Sequence, residues 1–367
     1  MSEKGIHPVA ASDSHSAPKR ICLIRPSALG DVCRTVPVLV SLRRAFPEAE
    51  IDWVVQDTYA PAVAAHPDLT NVIEFPRHDF ARAAKSPEAL RRLFNWLRSL
   101  KQTSYDIVYD CQGLARSGFF AWCSRAPKRV GFRDAREGGF FGYTHRYDIS
   151  SSLHTVDRML GLVEADGIAS IPDMRLYVSP DDETGWERLG ASVGVSRNTR
   201  YAVLAPTSRW KSKQWPPDRF AELIPALIER GFEKVIFVGG ENERSQCENL
   251  LEISRTNSAV VDLVGGTTVG TLMAAIRHAD LVVANDSAPL HMAVGFKRLF
   301  LALFGPTDVS RVGPYKGERW VLQATSPNEN LHHKNEKLGS SIMERISVQS
   351  VIGKLDELLS ENPLECL

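Results

Sequence analysis

The 367-residue chain lacks a dominant charge, a long apolar run and a paired-cysteine motif, and each shortage removes a class of protein. Lys+Arg and Asp+Glu stand at 44 each, so the chain is not a generic nucleic-acid binder. No apolar run reaches the ~20 residues a membrane span needs. The opening MSEKGIHPVAASDSHSA is polar and has no apolar centre, so it does not read as a secretory signal. The expectation is a cytoplasmic protein whose contact with a membrane, if any, is peripheral, at the cytoplasmic face of the inner membrane. The six cysteines, Cys22, Cys33, Cys111, Cys123, Cys247 and Cys366, form no C-x-x-C pair and no zinc spacing. Several sit in apolar runs, which predicts buried free thiols of a reducing compartment.

Two ligand signatures are missing as well. No strand is followed by G-x-G-x-x-G, which disfavours a dinucleotide dehydrogenase, and no G-x-x-x-x-G-K-[ST] is present, which excludes a P-loop. No D-x-D pair lies at a strand end, so the sequence calls for no metal and no cofactor.

What is present is an alternation of short β-rich runs with amphipathic segments. Residues 19–25, 51–56, 71–76, 105–111 and 128–132 read as one series of strands. Residues 201–206, 234–240, 280–286 and 299–305 read as a second. Helical patterns fill the gaps, among them 36–46 and 216–231, the latter ending at Gly231. This βαβ rhythm predicts α/β architecture with two doubly wound parallel sheets. The stretch 173–198 is polar and turn-rich and reads as the connector. The expected division is an unfolded tail over 1–18, a first domain over 19–180, a second over 181–345, and a closing helix and tail over 346–367, the helix covering 346–359.

Open parallel sheets bind ligands beyond the carboxyl ends of their strands, so the residues after each strand carry the functional signal. After the first strand come Ser27, Gly30 and Asp31, a small-residue turn leading into a helix. Asp31 reads either as a helix cap or as a carboxylate facing a cleft. After the first strand of the second series, Thr207 and Ser208 precede Arg209, Lys211 and Lys213. Hydroxyls and cations in one loop suit a diphosphate, or form a solvated basic loop. Gly239 and Gly240 lead to Glu241 and Glu243, acids able to accept from ribose hydroxyls or to cap a helix. Asp286 and Ser287 open a helix that carries His291, and its first N–H groups favour an anion. Gly305, Pro306 and Thr307 close the next strand.

Together and in this order, these segments resemble the family 9 glycosyltransferases, the bacterial heptosyltransferases of lipopolysaccharide inner-core assembly. The matching pieces are R-P-S-A-L-G-D-V (25–32), D-C-Q-G-L-A-R-S (110–117), T-S-R-W-K-S-K-Q-W-P (207–216), G-G-x-x-E (239–243), N-D-S-A-P-L-H (285–291) and F-G-P-T-D (304–308). The resemblance covers roughly 19–325 plus 342–348. It departs in Ser208 for a second threonine, in a loop one residue longer before Lys213, in Arg116 for a lysine, and in a segment 326–341 without cysteine.

The resemblance implies a GT-B fold, two Rossmann-like domains facing a central cleft, with 19–180 the acceptor-binding domain and 181–345 the nucleotide-sugar-binding domain. It implies an inverting, metal-independent transfer from ADP-heptose, which is a substrate and not a cofactor, to a Kdo/heptose glycolipid acceptor. Position by position, Asp31 matches a general base and Lys213 the lysine at the donor diphosphate. Thr207 and Ser208 match hydroxyls at the phosphates, Glu241 or Glu243 the ribose acid, and Asp286 an acid of the donor pocket, with Ser287, His291, Gly305 and Thr307 beside it. Ser27, Gly30, Arg34, Gln112, Arg116, Arg133 and Arg136 are the acceptor-side candidates, because arginine grips carboxylate and phosphate in bidentate fashion.

The other readings are transfer of another nucleotide sugar to another acceptor, and a non-catalytic nucleotide-sugar binder. Separately, Leu90, Leu93, Phe94, Leu97 and Leu100 line one helical face among arginines. That face either docks on an anionic membrane or packs on the sheet.

Overall fold

A computed structural model describes residues 17–362 except 327, 328, 330 and 333. Residues 1–16 of the expected tail, and Cys366, lie outside the described residues. The first sheet is built from β1 (Arg20–Ile24), β2 (Glu50–Gln56), β3 (Asn71–Phe75), β4 (Ile107–Asp110), β5 (Lys128–Phe132) and β6 (His145–Tyr147) in the spatial order β3-β2-β1-β4-β5-β6. The second comprises β7 (Tyr201–Ala205), β8 (Lys234–Gly239), β9 (Val260–Val264), β10 (Leu281–Asn285), β11 (Phe300–Phe304) and β12 (Val321–Gln323) in the order β12-β11-β10-β7-β8-β9. Every pairing is parallel. Both orders are the 3-2-1-4-5-6 of a dinucleotide-type doubly wound fold, which bears out the α/β expectation of two Rossmann-like sheets.

The central strands are near-continuous apolar runs, as strands covered on both faces must be. Residues 21–24 of β1, and all of β7 and β10, are buried. One apolar cluster runs from Val32, Val36 and Leu39 of the first half to Leu290, Met292 and Ala293 of the second. The two halves therefore meet through packed side chains.

Three strands escaped the sequence reading. β6 and β12 have three residues each, and β9 is V-V-D-L-V, whose central acid hides the run. The stretch 173–198, expected as a connector, contains the helix Pro180–Ser192. Its start is written in the sequence: the Ser179 Oγ accepts from the Asp182 N–H at 3.1 Å, Pro180 takes the first helical position, and Asp181, Asp182 and Glu183 oppose the helix dipole. Gly270 lets this helix lie against the helix Val269–His278, since a Cβ there would sit 2.0 Å from Asp182 Oδ1.

The helix expected over 36–46 starts seven residues sooner, at Leu29, and so takes in Asp31. The closing helix, Val348–Glu361, places Val351, Leu355 and Leu358 in the core of the second half, with Leu223 and Leu227. In the helix Pro87–Gln102, Leu100 is buried and Leu97 packs on the first sheet, while Leu90 and Phe94 remain exposed. The expected stripe is thus split, and its inner part is an ordinary crossover. No helix among the described residues is long and apolar enough to cross a membrane. The five described cysteines are free. Burial pushes the thiols of Cys33 and Cys111 up to about 12, so neither is a nucleophile at neutral pH.

Candidate active site between the sheets

Each sheet reverses its strand order once, between β1 and β4 and between β7 and β10, and such switch points open a crevice at the strand ends. The turn after β1 carries Asp31, and the turn after β4 carries Gln112. The turn after β7 carries Thr207, Ser208 and Lys213, and the turn after β10 carries Asp286. Three of the expected clusters, at Asp31, at Thr207–Lys213 and at Asp286, thus stand at a switch point, whereas Glu241 and Glu243 follow β8 and Gly305 follows β11. Gly30 touches the second half: a Cβ on it would lie 2.7 Å from His291 Cδ2, so glycine is needed for the approach.

On the first half, Asp31 is held from three sides. Arg25 Nη2 reaches its Oδ2 at 2.9 Å, and Arg34 pairs closely with Oδ1. The Ala28 N–H donates to Oδ2 at 3.3 Å, so the capping role is real. Burial opposes ionisation of Asp31, but Arg25 and Arg34, then the Ala28 N–H, outweigh it and hold the carboxyl well below the usual carboxylate range. A carboxylate offers about four acceptor positions. Three are taken, and one is open for a hydroxyl.

Arg25 was not singled out from sequence. It lies only 8% exposed, and its place inside R-P-S-A-L-G-D was the available signal. Arg34 is also buried, at 7%, and its Nη1 donates to the Val312 carbonyl of the second half at 2.9 Å. Expected at the acceptor, it is instead committed to Asp31 and to the domain contact. Near it, His154 Nε2 lies 3.1 Å from the Gly313 carbonyl, and the Thr155 hydroxyl donates to the Arg311 carbonyl at 2.9 Å. Gln112 Oε1 accepts from the Ser27 N–H at 3.3 Å, tying the β1 and β4 turns together. Arg116, Arg133 and Arg136 are exposed. Asp110, beneath them, accepts from the Tyr143 hydroxyl at 2.6 Å and from the N–H groups of Gln112 and Gly113. It is a structural anchor.

On the second half, Lys213 Nζ pairs with Asp286 Oδ2 at 2.6 Å, both largely buried. The loop that carries Lys213 is trussed to its surroundings. Asn285, fully buried, accepts from the Trp215 N–H at 3.1 Å and donates to the Pro206 carbonyl at 2.7 Å. Gln214 Nε2 donates to the Ser208 carbonyl and to Gln246 Oε1, both at 2.7 Å. Gly305 admits the 211–213 turn, because a Cβ would meet the Ser212 carbonyl at 2.5 Å. Asn285, Gln214 and Gln246 were not anticipated as supports, since their partners are backbone groups that a residue pattern does not reveal.

The two candidate ribose acids separate clearly. Glu243 Oε2 accepts from the Thr207 hydroxyl at 2.7 Å and from the Gly240 N–H at 3.1 Å, whereas Glu241 is exposed at the head of the turn Glu241–Gln246.

His291 sits where the halves meet. Its side chain is buried, and burial first, then the charges of Arg34, His154 and Lys213, opposed by Asp31, hold its pKa well below the usual value. It is therefore a neutral imidazole within the field of both Asp31 and Lys213. His291 Nδ1, Ser287 Oγ and Thr307 Oγ1 are buried without a hydrogen-bond partner. Such atoms each cost about 1–3 kcal/mol unless something polar meets them, which makes the three candidates for contact with a polar ligand. No cluster of three or more metal-ligating side chains is present among the described residues. A separate cavity of about 960 Å³, lined by Glu183, Trp186 and Tyr201, lies at the amino end of β7, away from this site.

With this geometry in hand, the relatives fall into place. The family described as Glycosyltransferase family 9 (heptosyltransferase) matches residues 93–341. The chain is 26% identical over 339 residues to the lipopolysaccharide heptosyltransferase 3 of Escherichia coli K12, covering 91% of this chain and 96% of that protein. Among solved structures, a glycosyl transferase family 9 protein from Veillonella parvula superposes with a TM-score of 0.80 at 23% identity, over 94% of this chain and 98% of its own. The Escherichia coli heptosyltransferase WaaC, solved with ADP-2-deoxy-2-fluoro heptose, gives a TM-score of 0.72 at 21% identity, over 92% and 99%. These likenesses establish the GT-B arrangement of the two sheets.

Proposed function

The chain belongs to glycosyltransferase family 9, the heptosyltransferases, and we propose that it moves a heptose from ADP-heptose to the Kdo/heptose inner core of a lipopolysaccharide, inverting the anomeric carbon without a metal ion. The observation that carries this reading is the approach of the Asp31 turn and the Lys213–Asp286 pair to one buried histidine at the domain contact.

In the proposed step, Asp31 accepts the proton of the acceptor hydroxyl as its oxygen bonds to the anomeric carbon. The bond from that carbon to the diphosphate oxygen breaks on the opposite face, and ADP leaves with the electron pair. The arginines make Asp31 a weak base but keep it ionised and aimed. It takes its proton only as the attacking oxygen becomes positive. The charge growing on ADP meets Lys213 and the first N–H groups of the helix Ala288–Gly295, and preorganised charges of this kind supply the largest share of many rate accelerations. Asp286 holds Lys213 in place.

Ser287, His291 and Thr307 line the donor sugar and phosphates, with Thr207, Ser208 and Gly305 beneath them. Glu241, with its carboxylate open to solvent, takes the ribose hydroxyls, while Glu243 braces Thr207. Arg116, Arg133 and Arg136 face the acid groups of the acceptor, and Ser27, Gly30 and Gln112 shape the floor. The acceptor is a glycolipid, so the protein works at the membrane surface that presents it. Incubation with a panel of ADP-, UDP- and GDP-sugars and a deacylated core acceptor, read by mass spectrometry, tests the reading. The expected product is acceptor plus one heptose from ADP-heptose alone. Transfer of another sugar in preference, or of none, overturns it.

A further inference from the structure

All four exposed phenylalanine and tryptophan side chains among the described residues, Phe94, Phe119, Trp122 and Phe141, lie in the first half of the chain. Scattered exposed apolar residues are ordinary, but a clustered set is not. Phe119, Trp122 and Phe141 share one shallow cleft of about 280 Å³ and are 46%, 43% and 74% exposed.

The cleft is built rigidly. The turn Arg136–Gly142 lies flush against the helix Ala115–Ser124 through glycine alone: a Cβ on Gly118 would stand 2.1 Å from the Gly139 carbonyl, and one on Gly142 2.0 Å from the Gly118 carbonyl. That packing leaves Phe141 pointing to solvent, beside Phe140 at 4.4 Å between ring centroids. Phe119 stacks on Trp122 at 5.9 Å.

The surroundings are cationic in a chain whose total charge is zero. Residues 115–147 hold seven Lys or Arg (Arg116, Arg125, Lys128, Arg129, Arg133, Arg136, Arg146) against two acids, Asp134 and Glu137. Lys128 is paired with Asp166, and Arg129 is committed to the Gly142 and Ala126 carbonyls. Arg125 lies over the Trp122 ring at 4.3 Å and Arg146 over Phe140 at 5.5 Å, which places cations at the edge of the aromatic surface. Exposed rings with arginines at their margin match an anionic lipid surface, where aromatic side chains sit at the headgroup level and arginines meet phosphate.

We propose that Phe119, Trp122 and Phe141, ringed by Arg125 and Arg146, dock the acceptor-side domain on an anionic bilayer. The helix and turn that bear them start just after β4 and β5, on the edge of the sheet that carries Gln112. Docking there presents the site to sugars standing on the membrane. The orientation rests on the glycolipid reading above, but the docking does not.

The test is co-sedimentation of the full chain with vesicles of phosphatidylglycerol and phosphatidylethanolamine, against vesicles of phosphatidylcholine. The wild type binds the anionic vesicles. The triple variant Phe119→Ser, Trp122→Ser, Phe141→Ser binds them at least about ten-fold less, because most of the inserting apolar surface is gone. The pair Arg125→Glu, Arg146→Glu, which leaves the rings in place, also loses anionic binding. Transfer to a deacylated acceptor is unchanged in both variants, which shows that they fold. Failure of the wild type to bind, equal binding to both vesicle types, or a concentration-dependent dimer that the triple variant abolishes would each overturn the proposal. Vesicle binding without transfer of any sugar would instead overturn the functional reading and leave the docking surface standing.

Discussion

The two halves of the site solve opposite charge problems with opposite economy. On the first half, one carboxylate, Asp31, is gripped by two arginines. On the second, one ammonium, Lys213, is gripped by one carboxylate, Asp286. The Lys213 pair is complete within its own half and uses no residue of the other. Asp31 is different, because Arg34 reaches both its carboxylate and the Val312 carbonyl across the domain contact. On the proposed roles, the domain contact aims the base through Arg34 and leaves the leaving-group cation to its own domain. Donor binding and chemistry should therefore separate under mutation.

The sharpest separation is expected at Asp31. Asp31→Asn should lower turnover by about 10²–10⁴-fold, the usual worth of general-base assistance, while the ADP dissociation constant measured by calorimetry stays within about two-fold, since the carboxylate is held by Arg25, Arg34 and the Ala28 N–H of its own half and not by the donor-side loops. Comparable loss of ADP binding would break the contrast.

Lys213→Ala should cost about 10²–10³-fold in turnover, the scale of one preorganised charge at a leaving group, and should weaken ADP as well. ADP affinity unchanged beside normal turnover would remove Lys213 from the site.

Arg34→Ala sharpens the role of closure. Misaiming the base costs up to about 10²-fold in turnover, with ADP affinity intact. It also changes the pH profile in a defined direction. The folded Asp31 is depressed by its arginines, so its ionised form, and the stability that form confers, is present above the ordinary value of about 3.9 and lost only as pH falls through the depressed one. Removing a cation raises the folded value, so the acid limb of kcat/KM must move to higher pH. A limb that does not move, or moves down, contradicts the clamp.

The smallest effect is expected at Arg133, exposed on the acceptor side. Arg133→Ala should raise the acceptor KM by up to about five-fold, as befits a solvent-screened ion pair, and leave the ADP-heptose KM alone.

Much of this contrast was legible before the coordinates. The strand-end positions of Asp31, Lys213 and Asp286 follow from the βαβ rhythm, because period and strand length fix where each turn falls. The supports were not legible. Asn285, Gln214 and Gln246 act on partners far away in sequence or on backbone atoms, and nothing in local pattern reports such pairing. The helix 180–192 was missed although Ser179, Pro180 and three acids announce it, because its sparse apolar residues resemble a loop. Arg34 was assigned to the acceptor because arginine grips carboxylate and phosphate in bidentate fashion. Its pairing with Asp31 and its bond to the Val312 carbonyl make its burial tolerable. The difference between Glu241 and Glu243 also needed the fold, since the bonds from Thr207 and Gly240 to Glu243 and the exposure of Glu241 are not written in the residue pattern.

The roles proposed for Asp31 and Lys213 make one demand that binding studies cannot meet: attack and departure must occur on opposite faces of the sugar in a single displacement. The anomeric configuration of the transferred heptose, read from the one-bond C–H coupling of the product by NMR, decides it. Inversion relative to the donor is the predicted result, and retention would contradict the account.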